Sequence, residues 1–200
     1  MTTLRELARM TLAKTETPPG KAALFIDMAG VLLDTTPSPG QPAGLRAGVG
    51  PALRLLERLD YSLIVLAPCA LDRRQMTRPL PARIADLLSR ERVVLAGFLC
   101  CTCTKAPCPD CPPSAALLQR AARELGVVLA RSWLLAHTRQ QLAAGQRAGC
   151  RTLLIGADTD GDQLRTMQSG AGLVANGPAA YLARDIVDAA LAIVRLDSAG

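Results

Sequence analysis

Five of the seven cysteines lie close together in the segment CCTCTKAPCPDC, residues 100–111. Two hooks of the form C-x2-C would supply the four thiolates of a tetrahedral zinc site. The predicted ligands are Cys100, Cys103, Cys108 and Cys111. Because four protein ligands leave no position for water, such a zinc ion would be structural. A reduced, metal-free cluster and disulfides are the alternatives, but the crowding in a chain with no secretion signal favours metal.

One carboxylate stands near the end of an apolar run, LFIDMAGV, at residues 24–31. The run predicts a buried strand that has Asp27 at its tip and a turn at Gly30. A carboxylate in that position can attack phosphorus as a nucleophile. Capping of the turn is the simpler alternative.

The elements that must position these residues alternate between strands and helices. Apolar runs predict strands at 23–28, 61–68, 93–100, 132–136, 151–156 and 172–176. Helical spacing predicts helices at 2–14, 49–60, 81–92, 112–126, 140–149 and 178–196. Such alternation predicts an α/β fold, a three-layer Rossmann-like arrangement with a central parallel sheet. Ligands of these folds bind outside the carboxyl ends of the strands, where Asp27, the cysteine segment and His137 would meet.

Composition narrows the classes of function. A net charge of +6 comes mainly from scattered arginines, without a helix-turn-helix pattern or an aromatic platform, so we expect no nucleic-acid partner. The charge is compatible with a phosphorylated ligand. No apolar stretch reaches the ~18 residues of a membrane span, and no secretion signal is present, so we expect a cytoplasmic protein without membrane contact.

The segment SWLLAHTRQQLAAGQRAGCRTLLIG, residues 132–156, resembles the fourth motif of the haloacid dehalogenase (HAD) superfamily. The likeness is to the branch of histidinol-phosphatases and D-glycero-D-manno-heptose 1,7-bisphosphate 7-phosphatases. DMAGV at 27–31 aligns with the first motif, DxDGT, and IVLAPCA at 64–70 with the second. FLCCTCTKAPCPDCPPSAALL at 98–118 occupies the place of that branch's zinc loop. The resemblance implies a cap-less HAD domain over residues 21–200, preceded by an amphipathic helix and linker at 1–20.

The resemblance assigns roles that this chain only partly fills. Asp27 matches the nucleophile. The family's general acid/base aligns with Ala29, and its phosphate-binding hydroxyl aligns with Ala67. The family's lysine falls in the neighbourhood of Pro112 and Pro113. The positions of its two magnesium-binding acids are His137 and Gln141. The family's zinc loop begins C-x-H, so Cys101 is an alternative ligand to Cys100. Loss of the acid/base alone lowers a rate by about two to four orders of magnitude.

We therefore expect a catalytically degraded phosphatase, a pseudophosphatase with a structural zinc site that serves as a binding or scaffolding protein. Its partner would be a protein, bound through the N-terminal helix in a homo- or hetero-oligomer, and a phosphorylated small molecule is a further candidate ligand. The alternative is an active sugar-phosphate phosphatase in which Asp27 is the nucleophile, with His137 as acid/base and Arg73 or Arg74 as the cation. Only that alternative requires Mg²⁺.

Overall fold

The structure is a computed structural model that describes residues 20–34, 44–67, 80–101, 108–156 and 180–198. These residues contain a six-stranded, wholly parallel sheet with the strand order β3-β2-β1-β4-β5-β6. The strands are β1 (Ala23–Asp27), β2 (Ser62–Ala67), β3 (Gly97–Cys100), β4 (Trp133–Ala136), β5 (Arg151–Ile155) and β6 (Ala180–Ala183). The order reverses between β1 and β4, the position at which open α/β sheets bind ligands.

Five α-helices among the described residues cover the two faces of the sheet. They are α1 (Val49–Glu57), α2 (Leu80–Arg90), α3 (Ala116–Leu125), α4 (Arg139–Ala148) and α5 (Ile186–Ser198). Apolar residues of α1, α2 and α5 share one buried cluster with the sheet, and those of α3 and α4 share the other. Strands buried on both faces need apolar side chains throughout, as the fully buried SLIVLA of β2 illustrates. The predicted three-layer arrangement is confirmed.

The last predicted helix was placed too early. Residues 180–183, which lie within the helix predicted at 178–196, form β6 and pair with β5. The helix begins only at Ile186, because the carboxylate of Asp185 accepts a hydrogen bond from the backbone N–H of Asp188 and caps α5. The helix predicted at 2–14 and the strand predicted at 172–176 lie outside the described residues.

The connections after β1 and β3 bear on the prediction that the domain has no cap. Residues 28–48 join β1 to α1, and residues 101–115 join β3 to α3. Each is far shorter than the ~50 residues of a small domain, so neither can hold a second folded unit. None of the helices in the described ranges is long and apolar enough to cross a membrane.

Candidate functional site

Asp27 is the last residue of β1, at the carboxyl edge of the sheet. β1 pairs with β2 so that Asp27 lies opposite Leu66. Ala67, the last residue of β2, therefore lies one position beyond Asp27. The Asp27 residue is 2% exposed, which is unusual for a carboxylate. The predicted nucleophile therefore lies where the topology places a ligand site, but it is almost shielded from water.

His137 follows β4 and brings its imidazole to Asp27. Nδ1 of His137 lies 3.3 Å from Oδ2 of Asp27, while 40% of the His137 side chain is exposed. The contact lacks hydrogen-bond geometry, and Oδ2 has no hydrogen-bond partner among the described residues. Gly30 permits this approach, since a Cβ at its position would lie 2.5 Å from the imidazole ring. Gly30 also has a φ of +85°, a backbone conformation that glycine adopts readily and other residues rarely do.

Gln141 occupies the first turn of α4 and is used to cap that helix. Its Oε1 accepts hydrogen bonds from the backbone N–H groups of His137 (2.8 Å) and Thr138 (3.1 Å). The Thr138 hydroxyl accepts in return from the backbone N–H of Gln141, which completes a capping box. The side-chain oxygen of Gln141 is thereby committed to the backbone.

The electrostatic state of Asp27 follows from its surroundings. Burial raises the pKa of its carboxyl above the ordinary value of 3.8, because removal from water disfavours the charged form. Interactions with the side chains of His137 and Gln141 lower the pKa and oppose that rise. The carboxyl group therefore gains a proton more readily than an exposed aspartate does.

A small pocket of about 30 Å³ opens beside Asp27, and we call it the Asp27 pocket. Besides Asp27, its described lining consists of Leu66, Pro112, Ser114, Leu117, Leu118, Leu134, Gln141 and Ala144. The described lining contains no lysine or arginine. Pro112 lies in this lining, in the neighbourhood where the resemblance aligns the family's lysine.

Three thiols meet where β3 leads into the cysteine segment, and we call them the cysteine cluster: Cys101, Cys108 and Cys111. Their sulfur atoms all lie within 4.8 Å of one another, and those of Cys101 and Cys108 are 3.1 Å apart. Zinc–sulfur bonds of about 2.3 Å place tetrahedral ligands about 3.8 Å apart, so the cluster could hold such a metal ion. Among the cysteines at the head of the segment, the structure thus groups Cys101 rather than Cys100 with Cys108 and Cys111.

Cys100 ends β3 and does not belong to this group. Its backbone oxygen accepts a hydrogen bond of 2.8 Å from the Arg120 side chain on α3. Cys103, the remaining predicted ligand, lies outside the described residues, as do Arg73 and Arg74. The alternative in which Cys101 takes the place of Cys100 fits this geometry.

Two features of the site escaped the sequence reasoning. The T-x-x-Q spacing from Thr138 to Gln141 is a capping-box signature, and it could have predicted that Gln141 serves the helix. The Asp27 pocket gave no comparable signal, because its lining comes from segments distant in the sequence.

Comparisons with known proteins place this geometry in context. No family model matches the chain, and no curated protein matches it. A protein from Mesorhizobium loti that has been assigned as a HAD-like phosphatase superposes with a TM-score of 0.71 and 21% sequence identity, and the match covers 93% of this chain and 91% of that one. The D,D-heptose 1,7-bisphosphate phosphatase from B. bronchiseptica, solved with magnesium and phosphate, superposes with a TM-score of 0.67 and 18% sequence identity. That match covers 88% of this chain and 99% of the phosphatase. The D,D-heptose 1,7-bisphosphate phosphatase from Burkholderia thailandensis superposes with a TM-score of 0.56 and 15% sequence identity, and the match covers 87% of this chain and 99% of that one.

Proposed function

We propose that this chain, which has the fold of HAD-like phosphatases, is a phosphatase-like protein that has lost catalysis and acts as a binding or scaffolding protein. The observation that carries the proposal is the contact between Asp27 and His137. Phosphoryl transfer depends on metal ions and cations that neutralise the charge of the transferred group. In this chain the side chain next to the candidate nucleophile Asp27 is the imidazole of His137, where the family has a magnesium-binding acid.

The described residues do not fit Mg²⁺. This ion requires near-octahedral oxygen coordination and is usually held through one or two carboxylates plus substrate phosphates. Asp27 offers one carboxylate, His137 a nitrogen that suits other metals better, and Gln141 an oxygen already bonded to the backbone. Ala29 cannot transfer a proton to the leaving group. A phosphate dianion beside the Asp27 carboxylate would be repelled without a compensating cation in the described lining.

Calorimetry tests this proposal. We expect titration with Mg²⁺, alone or with inorganic phosphate, to give no saturable heat with the unmodified chain. His137→Asp serves as the matched variant, because it restores a second carboxylate next to Asp27, and we expect a measurable Mg²⁺ affinity only there. Saturable Mg²⁺ binding by the unmodified chain that disappears in Asp27→Asn would contradict the proposal.

The cysteine cluster supports a second part of the proposal, a structural zinc ion. Cys101, Cys108 and Cys111 would supply three thiolates, and we propose Cys103 as the fourth ligand. Zinc would hold the cysteine segment against the end of β3, next to Pro112 of the Asp27 pocket. Reduced thiolates suit a reducing compartment, so we propose a cytoplasmic location.

A protein partner is the remaining part of the proposal. The N-terminal segment 1–20 lies outside the sequence motifs that resemble the family, and its leucine spacing suits a contact helix. We propose that it mediates homo- or hetero-oligomer formation. Light scattering after size exclusion is expected to show an oligomer of the full chain that dissociates when residues 1–18 are deleted. A monomer in both cases would exclude the homo-oligomer.

A further inference from the structure

A second cleft lies at the amino ends of the strands, on the edge of the sheet opposite Asp27, and we call it the amino-edge cleft. Its volume is about 1010 Å³, at the upper end of the ~300–1,000 Å³ that small-molecule sites occupy. Its described lining comes from the carboxyl end of α5, from Arg151 at the start of β5, and from the segments 20–22, 59–61 and 130–131 that precede β1, β2 and β4.

Both acids of the described lining are already paired with cations. Asp60 forms an ion pair with Lys21, whose Nζ lies 2.5 Å from Oδ1 of Asp60. Asp197 accepts hydrogen bonds from Nη2 of Arg151 (2.7 Å) and from the hydroxyl of Tyr61 (2.5 Å). Burial raises the pKa of Tyr61 to about 12, so this hydroxyl keeps its proton at neutral pH. The two acids therefore balance the charges of Lys21 and Arg151.

Arg131 is the third cation of the lining, and it has no acidic partner among the described residues. The residue is exposed, and its Nη1 donates a hydrogen bond of 3.2 Å to the backbone oxygen of Gly20. A guanidinium has five N–H donors in a planar fork that matches the two oxygens of a carboxylate. Because the contact with Gly20 uses only Nη1, the cleft offers donors and one unmatched positive charge to a ligand.

Apolar side chains lie in the same lining as these charges. Leu59 and Leu196 both line the cleft, and Leu59 is 39% exposed. A ligand that covers these leucines removes apolar surface from water, which favours binding. The cleft therefore suits a molecule that has an apolar body and one anionic group.

From this geometry we propose that the amino-edge cleft binds a small organic monocarboxylate with an apolar body, with Arg131 as its counter-ion. The carboxylate accepts hydrogen bonds from the Arg131 guanidinium, and the carbon chain contacts Leu59. One negative charge matches Arg131, whereas a phosphate-monoester dianion would bring a second negative charge into a lining that already holds Asp60 and Asp197. The inference goes beyond the proposed function, because the cleft and Asp27 lie at opposite edges of the sheet.

The experiment uses the full, zinc-loaded chain at low ionic strength, since salt screens exposed charges. Ligand-observed NMR and calorimetry measure binding of sodium hexanoate. Hexan-1-ol, which has the same carbon chain without the charge, and hexyl phosphate are the comparison ligands. We expect saturable binding of hexanoate, none of hexanol, and weaker binding of hexyl phosphate. Hexanol binding as tight as that of hexanoate, tighter binding of hexyl phosphate, or no saturable hexanoate binding would overturn the proposal.

Two variants separate the charge from the apolar contact. Arg131→Gln removes the counter-ion, and we expect about a tenfold loss of hexanoate affinity. Leu59→Gln keeps the charge but removes apolar surface, and it should also weaken binding. Both residues are exposed, so neither change disturbs the core. Arg123→Gln, at an exposed arginine of α3 outside the described lining, should bind as the parent does. Affinity unchanged in Arg131→Gln or in Leu59→Gln, or an equal loss in Arg123→Gln, would overturn the proposal.

Discussion

Replacing Cys108 by serine is expected to abolish metal binding and to lower the melting temperature by about 8–16 °C. Zinc at a thousand times its dissociation constant stabilises a fold by about 4 kcal/mol. In a domain of this size, each kcal/mol corresponds to about 2–4 °C. Cys108 belongs to the cysteine cluster, so its loss removes one of the three grouped thiols. Metal content by mass spectrometry and thermal unfolding check the prediction.

The matched control identifies the ligands at the head of the segment. Cys101→Ser should behave as Cys108→Ser does, because Cys101 lies in the cluster, whereas Cys100→Ser should keep about one zinc per chain. If Cys100→Ser loses the metal and Cys101→Ser keeps it, the grouping seen in the structure is not the zinc site. If the unmodified chain binds no zinc, the structural-metal proposal is wrong.

Asp27→Asn is expected to stabilise the fold near neutral pH by about 1–3 kcal/mol. The gain is the extra cost of burying the charge, because asparagine still buries a polar group at the same place and an unsatisfied buried group costs more when it is charged than when it is neutral. Burial of Asp27, where Oδ2 has no hydrogen-bond partner among the described residues, makes the charged form costly. Asparagine has the same shape and no charge. Urea unfolding of both proteins at pH 7.5 measures the difference.

The pH dependence of this difference has a definite sign. Because the pKa of Asp27 is raised in the folded state above 3.8, the folded state binds the proton more tightly than the unfolded state does. Asp27 therefore contributes stability below pH 3.8 that is lost as the pH rises through its folded-state pKa. The advantage of Asp27→Asn should accordingly shrink as the pH falls to about 4. Comparing variants at each pH cancels the loss of zinc, since low pH protonates thiolates in both.

An exposed aspartate supplies the control. Asp60 has an 85% exposed side chain that forms an ion pair with Lys21, and a φ of 64°, which asparagine tolerates. Because an exposed ion pair contributes about 0–1 kcal/mol, Asp60→Asn should lower stability at pH 7.5 by no more than that. Destabilisation by Asp27→Asn at pH 7.5 would show that the carboxylate is satisfied in the folded protein. The interpretation that the Asp27 carboxylate is buried without a hydrogen-bond partner for Oδ2 would then be wrong.

The sequence predicts the fold well, because each buried strand is an apolar run bounded by turn residues. Where it failed, local pattern was insufficient. AYLA at 180–183 suits a helix or a strand, and only pairing with β5 and the cap at Asp185 decide between them. The position of Asp27 was predictable for the same reason as β1 itself.

The candidate site was predictable as a set of residue types but not as an arrangement. Spacing alone cannot tell whether the side chain of Cys100 or that of Cys101 points toward Cys108, because neighbouring side chains in an extended segment point to opposite faces. Nor can it show that His137 contacts Asp27 or that leucines of α3 close the Asp27 pocket. These contacts depend on how separate elements pack.

The most direct test of the central claim is a phosphatase assay on folded, zinc-loaded protein with Mg²⁺. The substrates would be a panel of sugar bisphosphates and histidinol phosphate, with Asp27→Asn purified in parallel to measure the background. Our account predicts that the unmodified chain turns over no substrate faster than Asp27→Asn does. Mg²⁺-dependent turnover that disappears in Asp27→Asn would contradict it, and would show that Asp27 is a working nucleophile.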